Sequence, residues 1–392
     1  MGLMKSFLNR NVLLISFSAF FSDMGYQTVL AVLPVLLVIT LHAPVYVYGI
    51  VMGISYGFGS LLGYIGGKLA DIYGSKRIAI LGNALIPILS FSGIAASVYE
   101  SSILFTGGWL SRNFRSPARR ALISDETNDS NRGRVFGFLN ALDVGGGVVS
   151  MAVLLVLLYL KVALSLIILA TAIPIAFATV LLVFVKKKGH SKSAAPVKMK
   201  SERRKIDNRA YVGVIIATGL FGFSYYSLGF PILTIAQSQS SDALGFASYM
   251  LFLLAAAIFG YVIGSKKMRL IPSLSGLGYA LSATGALILG LAYVYSLGFV
   301  VMYIAVIIIG MAIGTIDTLE PSLITQVKPR SERGSGMGAL TASRSAGLFF
   351  GNIIMGALYY FGPFYAYAYA TIAAGCAALM LLTLGRRFDN RI

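Results

Sequence analysis

Charge is scarce in this chain. Only 12% of its 392 residues are Asp, Glu, Lys or Arg, about half of the roughly 25% usual in soluble globular proteins. Acids are the rarer sign, 14 against 32 basic residues. The single cysteine, Cys376, excludes a disulfide framework. The two histidines, His42 and His190, stand far apart, so no metal site is expected. No G-x-x-x-x-G-K-[ST] run occurs, so no nucleotide-binding loop and no direct ATP drive are encoded in this chain. What is abundant is apolar surface: 57% hydrophobic residues and a mean hydropathy of +0.81. A water-soluble fold of this length cannot bury that much, which excludes a soluble enzyme and a disordered chain alike.

No cleavable signal is expected. The short basic stretch 1–10 leads into an apolar run that continues past residue 35, longer than a signal core of about 7–15 residues. A spanning helix needs about 20 apolar residues. That ruler predicts twelve spans, at 11–40, 45–67, 77–98, 102–123, 134–160, 162–185, 211–236, 243–265, 271–294, 299–325, 336–361 and 364–385. The net charge of +18 would suit a nucleic-acid partner if it formed a patch. Instead it alternates. Lys5 and Arg10 precede the first span; Lys68, Lys76 and Arg77 join the second and third; Arg119, Arg120, Arg132 and Arg134 join the fourth and fifth. Lys266, Lys267 and Arg269, then Lys328, Arg330 and Arg333, and finally Arg386, Arg387 and Arg391 continue the pattern, with Lys161 the clear exception. Basic residues collect in cytoplasmic loops. The expectation is therefore a multi-pass cell-membrane protein with both termini cytoplasmic and no nucleic-acid partner. The polar stretch 186–210, with ten basic residues, reads as a cytoplasmic linker between a bundle at 1–185 and another at 211–392.

The two halves repeat. Residues 130–147 read SNRGRVFGFLNALDVGGG and residues 331–348 read SERGSGMGALTASRSAGL. At a constant offset of 201, Ser130, Arg132, Gly133, Gly137, Leu139, Ala141 and Gly146 meet Ser331, Arg333, Gly334, Gly338, Leu340, Ala342 and Gly347. Parallel six-helix halves suggest alternating access around a central site.

Between the second and third spans stands GKLADIYGSKR, residues 67–77. It resembles the signature loop of the major facilitator superfamily, G-x-x-x-D-[RK]-x-G-[RK]-[RK]. Gly67, Asp71, Gly74, Lys76 and Arg77 match, while Ile72 and Ser75 depart from it. The resemblance implies an all-α membrane fold of two pseudo-symmetric six-helix bundles, and a loop acting as a conformational latch. The glycines would permit a tight turn, and Asp71 would stand near a helix end. The second-half counterpart, GYVIGSKKMR at 260–269, lacks the acid. The chain further resembles prokaryotic uncharacterised and multidrug-like facilitators. DMGYQTVLAVLP keeps Asp23 and Pro34 of their first-span pattern, RSPARRALI carries Arg120 where an acid is usual, and Asp317, Glu320 and Pro321 occupy a span-ten motif. The Gly-Pro ending of the span-five antiporter motif is absent from DVGGGVVSM, where Ser150 and Met151 stand instead.

Ionisable residues inside a membrane usually face a cavity or a partner. By the helical rise, Asp23, Arg112, Arg115, Asp143 and Arg344 lie near mid-depth, with Asp317 and Glu320 nearer the cytoplasmic end. Asp23 and Gln27 share a helix face at i and i+4. Asp23, Asp143 and Arg112 are candidates for proton coupling, and Arg112 resembles the span-four arginine that the family associates with proton transfer. Gln27, Tyr26, Arg115, Arg344, Asp317, Glu320, Tyr225 and Tyr226 are candidate cavity residues, with Phe230 a further aromatic wall. Asp143 and Arg344 are equivalent in the repeat, so they could pair with each other, bind the two ends of a zwitterion, or each pair with a structural neighbour. Stripes of small residues, Gly59, Gly63 and Gly67 and again Gly310 and Gly314, would let helices approach closely. The expected function is secondary active transport by a monomer in the lipid bilayer, driven by a proton gradient with no cofactor. Efflux of hydrophobic or organic compounds is the expected task; uptake of a small metabolite or organic anion is the alternative. A sensor or scaffold that no longer transports would have little reason to keep the buried charges.

Overall fold

The computed structural model describes residues 8–127, 131–186, 208–224, 228–266, 268–327 and 333–389. Among them are twelve long helices and no strand. They are α1 (Arg10–Thr40), α2 (Val45–Tyr73), α3 (Ser75–Ile94), α4 (Val98–Ser124), α5 (Arg132–Tyr159) and α6 (Leu164–Val183). Then follow α7, described in the two pieces Asn208–Ser224 and Gly229–Ser238, α8 (Asp242–Ser265), α9 (Leu270–Val294), α10 (Gly298–Val327), α11 (Arg333–Phe361) and α12 (Pro363–Asp389).

All twelve expected spans are helices. The largest difference in their ends is at α2, which runs on to Tyr73. Ten helices are long and apolar enough to cross a membrane. The exceptions, α4 and α11, have 27 and 29 residues, which at about 1.5 Å per residue is ample length. Their apolar runs are broken by arginines, including Arg112, Arg115 and Arg119 in α4 and Arg344 in α11. The membrane-facing positions are apolar, as at Ile103, Ile173, Ile258 and Ile372, all more than half exposed.

Local signals set the helix starts. Asn9 Oδ1 accepts from Val12 N at 2.9 Å at the head of α1. Ser97 Oγ accepts from Glu100 N at 3.2 Å, while Glu100 Oε2 accepts from Ala96 N at 2.9 Å, a reciprocal cap on α4. Three helices change pitch next to a proline, which removes a ladder donor. α1 becomes a π-helix over Val35–Thr40 after Pro34, α3 becomes a 3-10 helix over Ile86–Ile94 at Pro87, and α9 is π over Leu274–Ala280 after Pro272.

The chain divides into two compact units. One takes in the described residues of Met1–Leu41 and Phe58–Val197, the other those of His42–Gly57 and Lys198–Ile392. The stretch 186–210 lies almost wholly outside the described residues. In the first unit, Glu126 ties three helix ends together at one end of the bundle. Its carboxylate accepts from Asn9 Nδ2 at 3.0 Å and Asn11 Nδ2 at 2.8 Å, and Asn11 bonds both the N–H and the C=O of Lys186.

The repeat seen in the sequence is a repeat of packing. A Cβ on Gly146 of α5 would press on the α1 backbone, 3.2 Å from Met24 N. A Cβ on Gly347 of α11 would meet the α7 backbone, 2.7 Å from Gly222 Cα. The matched glycines therefore do the same work in each unit: they let α5 reach α1, and α11 reach α7. The expected small-residue stripes behave likewise, with Gly59 against Asn113 of α4 and Gly310 against the Phe252 backbone of α8.

Candidate functional site

In the first unit the charges gather where α1, α4 and α5 meet. Asp23 is 5% exposed. Its Oδ1 accepts a 2.5 Å hydrogen bond from Tyr26 Oη, one turn on in α1. Tyr26 Oη in turn accepts from Arg112 Nη2 of α4 at 3.3 Å. Arg112 sits in an aromatic corner, its guanidinium carbon 5.1 Å from the ring centres of both Tyr26 and Trp109. Among the described residues no cation approaches Asp23 to ion-pair distance. The acid is thus linked to Arg112 through a hydroxyl, not directly.

Arg115, expected as a cavity residue, points elsewhere. It is fully buried between α1, α3 and α4, and its Nη1 donates to Ser22 Oγ at 2.7 Å and to Asn83 Oδ1 at 2.5 Å. Asn83 also donates to Thr179 Oγ1 of α6 at 2.8 Å. Arg119 is a correction. Counted with the basic residues joining the fourth and fifth spans, though within the expected span 102–123, it lies inside α4, 7% exposed, with Nη2 3.0 Å from Asp143 Oδ2 of α5. Positions 112, 115 and 119 are spaced i, i+3 and i+7, so the three guanidinium stems share one side of α4.

The second unit holds its own charged cluster. Arg344 of α11 bonds Asp317 Oδ1 at 2.8 Å and, more tightly, Glu320 Oε2, both on α10. Glu320 is fully buried and Oε1 accepts from Tyr279 Oη of α9 at 2.7 Å. Tyr279 stacks on Phe221 and lies 3.4 Å from Thr218 Oγ1, both of α7. Asp143 and Arg344 each meet an opposite charge within their own unit, Arg119 for the first and Asp317 and Glu320 for the second. The pattern beneath is sharper. Arg119 and Glu320 are also 201 residues apart, so the ion pair recurs in both units with its signs exchanged.

Of the four expected wall aromatics, two are among the described residues. Tyr26 and Phe230 are fully buried, Phe230 packing on Tyr48 and Tyr359. Tyr225 and Tyr226 lie outside the described residues. Gln27 is half-buried one turn from Asp23 and has a polar partner. At the loop motif, Gly74 joins α2 to α3 with φ +92°, a conformation that favours glycine. Gly67 makes no turn; it lies inside α2, because that helix continues six residues beyond its expected end. Asp71 stands in the last turn of α2, exposed and with no hydrogen bond or ion pair to the described residues. Lys76 Nζ donates to Val183 O at the end of α6 at 2.7 Å, a cation at a helix C-terminus. Arg77 is exposed. Sequence reasoning missed Ser22, Asn83, Trp109, Arg119, Thr218 and Tyr279. Only Arg119 carried a signal, its offset from Glu320.

Comparison with known proteins agrees with this geometry. The family model described as Major Facilitator Superfamily matches residues 15–319. An uncharacterized MFS-type transporter of Methanocaldococcus jannaschii is 23% identical over 386 residues, covering 96% of this chain and 95% of that protein. Among solved structures, a peptide transporter of the POT type superposes with TM-score 0.78 at 16% identity, covering 96% of this chain and 94% of that one. A D-xylose–proton symporter gives TM-score 0.75 at 14% identity, with 96% and 97% covered. The nucleoside transporter NupG gives 0.74 at 12%, with 96% and 100% covered.

Proposed function

The chain belongs to the Major Facilitator Superfamily, and from that premise we propose that it is a proton-coupled secondary active transporter in which Asp23 carries the proton. Transport of a small molecule by a non-enzymatic, multi-pass membrane protein follows from the family. The coupling reading rests on one observation: a buried carboxylate whose described bond runs to Tyr26 Oη, with Arg112 on the far side of that hydroxyl. An ionised acid at this depth is costly unless it is paired. A proton removes that cost in one state; a closer approach of Arg112 removes it in another. Alternation between the two is a coupling device, and the similar D-xylose symporter is named for proton coupling. In this reading the chain works as a monomer in the bilayer, with both termini and the 186–210 linker cytoplasmic, and uses no cofactor beyond the proton gradient.

Efflux of hydrophobic compounds draws little support from the described part of the site, where Tyr26 and Phe230 are buried as packing. An organic anion as cargo, in either direction, is favoured by a specific observation: three guanidiniums, Arg112, Arg115 and Arg119, gather with two carboxylates, Asp23 and Asp143, in the first unit. Proteoliposomes loaded with a pH dye test the coupling. Sugars, nucleosides, dipeptides and carboxylates are added in turn, and the expected result is proton movement with one of these classes. Asp23→Asn should abolish that movement while leaving exchange of the same compound intact, since the amide mimics the protonated acid. Wild-type proton movement in Asp23→Asn would refute the assignment.

A further inference from the structure

We propose that the cargo is a small carboxylate and that its carboxyl group docks on the open edge of Arg115, with Arg119 beside it; this rests on the transport reading above and adds the charge and the binding group. A guanidinium has two forked edges. Arg115 uses Nη1 on Ser22 and Asn83, yet Nε and Nη2, which together form the other edge, are buried with no acceptor among the described residues. That edge matches the spacing of two carboxylate oxygens, the geometry in which arginine binds most strongly and selectively. One turn further along α4, Arg119 gives Nη2 to Asp143 while Nε and Nη1 stay buried without an acceptor. Four buried nitrogen donors on one side of one helix thus lack acceptors. Native interiors leave few such groups, and each calls for an explanation.

The charge count points the same way. Of the ionisable groups that face this cluster, α4 supplies Arg112, Arg115 and Arg119, with Arg120 next in sequence but exposed; α1 supplies Asp23 and the phenol of Tyr26, and α5 supplies Asp143, while Asn83 of α3 and Thr179 of α6 are neutral. With Asp23 protonated, three positive charges face one negative. The second unit is the reverse, two carboxylates around Arg344, so the basic excess is specific to the first. A bound carboxylate supplies both the missing acceptors and the missing charge. Arg112 and Asp143, half-buried, are the more accessible members of the group.

The test is thermal unfolding of the purified full chain with acetate, benzoate and succinate, each set against its amide, with benzylamine, sulfate, phosphate and sodium chloride at matched ionic strength. At least one carboxylate should raise the unfolding temperature saturably, and its amide should not. Arg115→Lys keeps the charge but loses the fork, and should weaken that binding at least tenfold; Arg119→Gln should weaken it too. The inference is overturned if no carboxylate binds, if the amide or benzylamine binds as well, or if only sulfate, phosphate or salt acts. It is also overturned if Arg115→Lys binds the carboxylate like the wild type, which would assign water to the open edge. Carboxylate binding that persists while Asp23→Asn still moves protons sinks the coupling reading alone. Proton movement with an uncharged cargo, lost in Asp23→Asn, sinks this one alone.

Discussion

The sign-exchanged ion pair makes a quantitative prediction. Arg119 and Asp143 meet at 3.0 Å with side-chain exposures of 8% and 23%. For charges about 4 Å apart at an effective dielectric near 20, Coulomb attraction is about 4 kcal/mol, and removing one partner of a buried pair typically costs about 3–5 kcal/mol. The two single removals should be unequal. Asp143→Asn strands the more buried Arg119, so its cost should fall at the upper end of that range. Arg119→Gln strands an acid with some access to solvent, and should fall at or below the lower end. The reversed double substitution, Arg119→Glu with Asp143→Arg, installs the arrangement that the second unit carries at Glu320 and Arg344. It should recover at least half of the loss. The assay is equilibrium unfolding in detergent, analysed as a double-mutant cycle. Singles within about 0.5 kcal/mol of wild type, or a reversed double less stable than either single, would refute the reasoning.

Two further outcomes are expected. With Cys376 replaced, a cysteine introduced at position 195 should resist an impermeant reagent added outside intact cells and react once they are opened; labelling from outside defeats the assigned topology. Asp71→Asn should lower transport without loss of folded protein, because an exposed acid with no described partner is available for charged contacts in another conformation, and its loss then shifts a population; equal transport and equal populations would remove the latch role.

Helices were readable because a hydrocarbon core imposes a length. The charged residues were readable one by one; their partners were not. Arg119 shows why. The expected span 102–123 already contained position 119, yet the tally of basic residues placed it with the loop, because an arginine near a helix end counts as cytoplasmic charge on either side of the boundary. The repeat held the missing clue, since the offset that matches Asp143 to Arg344 also matches Arg119 to Glu320. Asn83 and Tyr279 were harder to find. They are neutral, and with their partners Ser22 and Thr218 they recur at a separation of 196, so a single offset cannot find both sets. The buried state of Tyr26 was also invisible, because a tyrosine in an apolar helix has the same spacing whether it lines a cavity or fills the core.

The aromatic corner around Arg112 has an optical consequence. Trp109 is the only tryptophan in the chain, 3% exposed, stacked on Phe105, edge-on to Tyr26 and beneath the Arg112 guanidinium. Indole emission responds to the local electric field, and here the nearest positive charge is the group that shares a hydroxyl with Asp23. The molecule thus carries one built-in indole beside the proposed proton site, free of background from any other indole. The proposed protonation of Asp23 therefore has a readout in unlabelled protein before any cargo is known.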